Sequence, residues 1–177
     1  PYYTSEVGYM RNSYEVNAVP TMFVDAVNID PALTPDDFES HLGKITNGFL
    51  TVNAHLVGDS IFATVEVVSA KTLSDETFVR LAVVETETER NASTNGENTF
   101  ENVFMKFISN KQGTATGYLN ANEPVNLSFK GSLKGTHVEE LDDLKIVAYL
   151  FYDNEYQVIQ SEMIDIPYAP SLPYFTA

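Results

Sequence analysis

The sequence predicts an α+β chain that is mainly β: an antiparallel β-sandwich, immunoglobulin-like or jelly-roll-like, preceded by a short β-hairpin–helix unit. Three observations predict it. From Phe49 onward, apolar residues alternate with polar ones in short runs separated by turn residues, the pattern of strands buried on one face. Residues 145–152 are nearly continuously apolar, which suits a central strand covered on both faces. Ahead of Phe49, residues 34–48 carry helical spacing with start and stop signals.

In chain order, residues 21–24 and 27–29 form a hairpin around Asp25-Ala26. Thr34 caps the helix that follows. Pro35 fits its first turn, and Asp36 and Asp37 suit its positive N-terminus. Phe38, Leu42 and Ile45 build its apolar face, Gly43 weakens it, and Gly48 ends it. The period then switches to two. Leu50, Val52, Ala54 and Leu56 alternate with Thr51, Asn53 and His55. Gly58-Asp59 turns the chain into Ile61, Ala63, Val65 and Val67, completing a hairpin. Val79, Leu81 and Val83 make a third strand, with Arg80 facing the other way. Val125, Leu127 and Phe129 make another, with Asn126 and Ser128 outward. After residues 145–152, Asp153-Asn154-Glu155 turns the chain into a last strand over 156–164.

One stretch breaks the rhythm. Phe100, Val103, Phe104, Phe107 and Ile108 fall at i, i+3, i+4, i+7 and i+8, so residues 100–108 read as a helix over one end of the sandwich or against the first block. Residues 85–98 are polar and read as a long exposed loop. Three units result: 1–48, 49–166, and a Pro/Tyr-rich linker tail, 167–177, of extended character.

Composition narrows the function. With 44% hydrophobic and 12% aromatic residues, the chain has the material for a packed core. Its net charge of −15 repels phosphate backbones and anionic lipid, which excludes nucleic acid as a partner. No run approaches the roughly 20 apolar residues of a transmembrane helix. Without cysteine, the chain holds no disulfide, thiol nucleophile or thiolate metal site.

Residues 14–30 read Tyr-Glu-Val-Asn-Ala-Val-Pro-Thr-Met-Phe-Val-Asp-Ala-Val-Asn-Ile-Asp. A Val-Pro-Thr step entering a short apolar strand, then a turn and a helix, resembles the back end of a thioredoxin fold. That resemblance implies a cis peptide between Val19 and Pro20, and it makes unit 1–48 the C-terminal part of a thioredoxin-like domain. Only 19 residues precede Pro20, so the front half of such a fold is truncated. Farther on, Thr-Phe-Glu-Asn-Val-Phe-Met-Lys-Phe-Ile over 99–108, Gly113-Thr114, and Leu-Lys-Ile-Val-Ala-Tyr-Leu over 144–150 resemble the Omp28-related outer membrane proteins of Bacteroidetes. The resemblance runs from about Arg11 to Ile164. It implies a thioredoxin-like domain followed by a β-sandwich, and an extracellular or outer-membrane surface location. Some members carry a Cys-x-x-Cys upstream of the proline. The chain is accordingly expected to be a piece of a longer protein, with its tail leading to a sorting domain.

Little invites catalysis. His41, His55 and His137 lack metal-like spacing, and neither a Gly-x-Ser-x-Gly elbow nor a glycine-rich phosphate loop is present. Glu139, Glu140, Asp142 and Asp143 crowd one turn, but without the alternation of a calcium loop, so a solvated acidic turn is the better reading. Asn91-Ala-Ser and Asn126-Leu-Ser match a glycosylation pattern by coincidence. Tyr2, Tyr3, Tyr9, Tyr14, Tyr168 and Tyr174 suit a domain joint. No catalytic, cofactor-binding or metal residue is assigned, and no cofactor is expected. The expectation is a non-catalytic cell-surface or secreted module binding a protein or glycan through loops 86–98 and 110–124. The alternative is the substrate-facing fragment of a thioredoxin-like thiol-disulfide oxidoreductase whose cysteines lie upstream. The truncated first block is expected to be covered by the sandwich or by a second copy.

Overall fold

A computed structural model describes residues 3–19, 21–24, 27–29, 34, 35, 39, 46–90, 96–152 and 157–168. The chain is mainly β, with antiparallel sheets that do not close into a barrel. Helix α1 (Ser5–Ser13) comes first, followed by β1 (Met22–Val24) and β2 (Val27–Ile29), which pair with each other. The sandwich comprises β3 (Gly48–Val57), β4 (Ser60–Ser69), β5 (Leu73–Thr88), β6 (Phe100–Phe107), β7 (Thr114–Leu119), β8 (Val125–Ser132), β9 (Leu144–Tyr152) and β10 (Val158–Asp165).

One sheet has the order β3-β4-β8. The other runs β10-β9-β5, where β6 and β7 share the far edge of the 16-residue β5. With β7 set aside as an addition, the first, second and fifth strands of the sandwich face the remaining four. That is the immunoglobulin-like alternative, not the two matched Greek keys of a jelly roll.

The hairpin Gly48–Val57/Ser60–Ser69 forms in the expected register, with Leu50, Val52 and Leu56 opposite Val67, Val65 and Ile61 and all of them buried. Gly58 supplies the left-handed turn at φ 61°. Facing them across the core stand Val79, Leu81 and Val83 of β5 and Leu144, Ile146, Ala148 and Leu150 of β9. β9 is flanked by β5 and β10, the central position that its apolar run foretold.

Residues 100–108 are not helical; they form strand β6. Val83 pairs with Lys106 and Val84 with Phe104, leaving Met105 as an extra residue in a bulge. The bulge puts Phe104 and Phe107, three positions apart, on the same face with ring centroids 4.8 Å apart, while Met105 enters the core. A spacing of three in a bulged strand thus imitates a helical one. Nor is the stretch from residue 85 a loop at its start: β5 runs on to Thr88, with Glu85 and Thr88 buried. Likewise 110–124 contains strand β7.

Helix α1 has no sequence-derived counterpart. Thr4 caps it by accepting the Val7 N–H, Glu6 lies in its first turn and Arg11 in its last, but it buries no residue and has no apolar stripe. Of the expected helix from Thr34, Pro35 and Glu39 are helical, while Asp36, Asp37, Phe38, His41, Leu42, Gly43 and Ile45 lie outside the described residues. The turn at 153–155, Tyr2, Asn91, Tyr174 and the tail beyond Tyr168 lie outside them too. The tail begins as a strand-like contact: Tyr168 bridges Leu56 in parallel, and the Leu56 N–H donates to Pro167 O at 3.4 Å.

Candidate functional site

Three features merit consideration: a groove beside α1, a buried arginine under α1, and an acidic corner at the end of β5. The groove is an apolar cavity of about 560 Å³. Helix α1 contributes Val7 and Met10, the turn after it Tyr14, Val16 and Val19, and β1 contributes Phe23. Its shape is set by how α1 ends. The Val16 N–H donates to Arg11 O at 2.9 Å and the Glu15 N–H to Asn12 O at 3.2 Å, with Glu15 left-handed at φ 51°. This is a Schellman ending in which glutamate holds the position that glycine usually takes. Arg11 Nε then donates to Val16 O at 3.0 Å, fixing the wall. Tyr14 and Phe23 meet at a centroid distance of 5.0 Å and join the turn to β1. Thr21 Oγ1 donates to Ala18 O at 2.5 Å.

Val19, the sequence-derived candidate, stands at this rim and is 87% exposed; Pro20 lies outside the described residues. Among the described lining residues Arg11 alone is charged, and no carboxylate, imidazole or serine is present to act as acid, base or nucleophile. The lining of the groove is mostly apolar.

Arg80, which the alternation of β5 points away from the core, is nonetheless fully buried on the outer face of the larger sheet. Its Nη1 donates to Tyr149 Oη at 2.9 Å and reaches Met10 Sδ at 3.3 Å. The rings of Phe151, Phe107 and Tyr149 lie 4.7, 5.5 and 5.5 Å from the guanidinium carbon. Burial pushes the Tyr149 phenol up, against the opposing pull of Arg80. Glu6 of α1 accepts the Phe107 N–H at 3.2 Å, and Lys111 lies over the Tyr9 ring. Gly113 packs against Phe151 and Phe78 so closely that a Cβ there would stand 2.7 Å from the first ring. Phe104, Phe107, Gly113 and Tyr149, drawn from the three stretches that resemble the Omp28-related proteins, lie on strands and turns around Arg80 and the seat of α1.

The acidic turn folds back on β5. Fully buried Glu85 accepts the N–H groups of Glu139 (2.8 Å) and Glu140 (2.6 Å). Glu139 in turn accepts those of Glu89 (3.1 Å) and Arg90 (2.9 Å), and Asp143 accepts that of Glu87 (2.8 Å). Burial raises the Glu85 carboxyl above the usual range; the two N–H donors oppose this, and Glu139 and Asp143 add repulsion. Three of these carboxylates therefore serve as backbone acceptors, and among the described residues no three acidic or histidine side chains gather into a metal-binding group. His55 stacks on Phe62 at 5.3 Å on the outer face of the smaller sheet, far in sequence from the acidic turn. Asn126 is exposed on β8.

These features define a mainly-β sandwich carrying an apolar groove on its N-terminal block. No protein-family description matches the sequence, and no curated protein matches it. Among solved structures, the chain is similar to a domain of the outer membrane lipoprotein Omp28 from Porphyromonas gingivalis, with TM-score 0.49 and 13% identity over 72% of this chain and 93% of that one. It is also similar to beta-glucosidase 3B from Thermotoga neapolitana (TM-score 0.36, 9% identity, 68% of this chain and 16% of that one). A beta-glucosidase from Kluyveromyces marxianus aligns at TM-score 0.35 and 11% identity, over 70% of this chain and 14% of that one. At such scores neither fold nor function follows from the likeness. No helix among the described residues is long and apolar enough to cross a membrane.

Proposed function

We propose that this chain is a non-catalytic binding module, displayed at the cell surface or secreted, with the groove between α1 and β1 as its recognition site. The groove carries the proposal: an apolar cleft of about 560 Å³, a size typical of ligand sites, with an exposed Val19 among its lining residues. The rigid sandwich is its support, held to α1 through Arg80 and Glu6. The surface location is supported by the sequence resemblance of residues 99–108, 113–114 and 144–150 to the Omp28-related proteins.

The fluorescence of anilinonaphthalene sulfonate tests the site. The dye is expected to brighten with the wild-type chain and to lose most of that signal with Val19→Glu, a change at an exposed position that leaves folding intact. Equal brightening with both chains would remove the groove as a recognition site.

A second reading has one observation behind it. Val19 lines the groove, and it precedes Pro20 in the Val-Pro-Thr step at which a thioredoxin-like oxidoreductase would meet its substrate. If cysteines lie upstream in the full gene product, that product is expected to reduce insulin; a longer product without Cys-x-x-Cys ends this reading.

A further inference from the structure

We propose that α1 is a latch: it leaves the outer face of the larger sheet on its own while the sandwich stays folded. The helix is nine residues long and buries none of them fully. Isolated helices shorter than about 12–15 residues are marginal in water, so α1 depends on what it touches. Its apolar side chains Val7 and Met10 line the cavity of about 560 Å³ and do not enter the packed core. A side chain facing a void forfeits the contacts that a filled site would give it. Polar and ring contacts tie the helix to the sandwich. Glu6 accepts the Phe107 N–H at 3.2 Å, Arg80 Nη1 reaches Met10 Sδ at 3.3 Å, and Lys111 Nζ stands 5.2 Å from the centre of the Tyr9 ring.

The strands beneath are held differently. Val79 and Leu81 of β5 and Ile146 and Leu150 of β9 are fully buried, and β5 is paired along both edges. Local opening follows such differences in packing, so the helix opens at a far smaller cost than the strands. Undocking breaks none of the bonds that close the end of the helix, the Val16 N–H to Arg11 O and Arg11 Nε to Val16 O, because these lie within the N-terminal block. It draws Met10 off Arg80 and takes Val7 and Met10 out of the groove wall. A molecule seated against those two side chains therefore favours the closed latch. That consequence rests on the groove being a recognition site; the latch itself does not.

Native-state hydrogen exchange of the whole chain, read by amide resonances in urea below the unfolding transition, tests it. The amides from Gly8 to Ser13 are expected to exchange about a hundredfold or more faster than those at the centres of β5 and β9, at rates that this urea hardly changes. Lys111→Ala, which leaves the helix sequence intact, is expected to speed them about two- to fivefold without moving the urea midpoint. Helix amides that follow the rate and urea dependence of β5 and β9 would tie α1 to global unfolding and overturn the latch. Amides unprotected relative to a free peptide would overturn it too, since no docked helix would exist. So would fast exchange that Lys111→Ala leaves unchanged, which would mean fraying in place. Anilinonaphthalene sulfonate separates the latch from the groove: the dye is expected to slow exchange in α1 and leave β9 unaffected. If α1 opens alone and the dye has no effect, the latch stands and its link to groove occupancy falls.

Discussion

Arg80 and Tyr149 stand directly opposite each other on β5 and β9, and the guanidinium donates to the phenol oxygen at 2.9 Å. The pair lies on the outer face of the larger sheet, where solvent would be expected, yet Arg80 is fully buried beneath α1. Met10 meets Arg80 and also walls the groove, so the helix, the sheet and the cleft share one anchor.

The planar guanidinium serves three rings and one hydroxyl at once, a task that a point-like ammonium cannot match. Arg80→Lys should cost about 2 kcal/mol or more of stability. Arg80→Met buries no charge and should cost less than the lysine. Urea midpoints of the two variants decide the order; a lysine variant as stable as wild type would show that the ring enclosure contributes nothing.

Tyr149 should govern part of the alkaline limb of stability. Its folded pKa is raised, so the folded chain keeps a proton that the unfolded chain begins to lose near pH ~10. That contribution is complete below this pH and is lost as pH rises through the folded value. Tyr149→Phe should flatten the alkaline decline while costing about 1–2 kcal/mol at neutral pH for the lost bond to Arg80. Thermal melts at neutral and alkaline pH measure both.

Glu85 follows the same sign in the acid range. Its folded pKa lies above the ordinary glutamate value of about 4.3, so stability from this group is present below that value and is lost as pH rises through the folded one. Glu85→Gln keeps a carbonyl acceptor for the Glu139 and Glu140 N–H groups and removes the buried charge. It should be at least as stable as wild type at neutral pH, with the advantage shrinking as pH falls toward about 4. Glu85→Ala orphans both N–H groups and should cost about 2–3 kcal/mol. Melting temperatures across this range would refute the account if the glutamine variant proved the weaker at neutral pH.

Glu15 holds a left-handed conformation that glycine adopts without strain. Glu15→Gly should stabilise the chain by about 1 kcal/mol, seen as a higher melting temperature. A fall would mean that the Glu15 side chain contributes a contact outweighing its backbone strain.

At Gly113 the opposite change is costly. The backbone has φ +98°, and an added Cβ would lie 2.7 Å from Phe151 Cζ and 2.9 Å from Phe78 Cβ. Gly113→Ala should cost about 2 kcal/mol. Denaturant titration giving an unchanged midpoint would show that the two rings yield freely.

Legibility followed the regularity of burial. Strands β3 and β4 could be read residue by residue, because one face meets the core and the other meets water along their whole length. β6 could not, because its bulge replaces the period of two by a spacing of three at Phe104 and Phe107. The polar end of β5 looked like a loop because one of its edges pairs with β6 while Thr86 and Glu87 on the other donate to the carbonyl and carboxylate of Asp143, supplied by a turn some fifty residues on. Helix α1 went unread because its contacts with the sandwich come from scattered side chains, among them Glu6, Tyr9 and Met10, and it buries no residue fully. Of the groove, the sequence marked Val19 only as the residue before a candidate cis-proline, and Pro20 lies outside the described residues. The cleft itself was not legible, since it is assembled from a helix, a turn and a strand.

Alternation and turn residues alone determined that this protein is a mainly-β sandwich with a hairpin ahead of it, because a strand half in water must write its burial into every second residue. Contacts between distant segments decided the rest. They seated Arg80 under α1, turned acidic side chains into backbone acceptors, and opened a groove beside β1, because a buried polar group is satisfied by whatever the fold brings within hydrogen-bonding reach, and no local pattern records which partner that is.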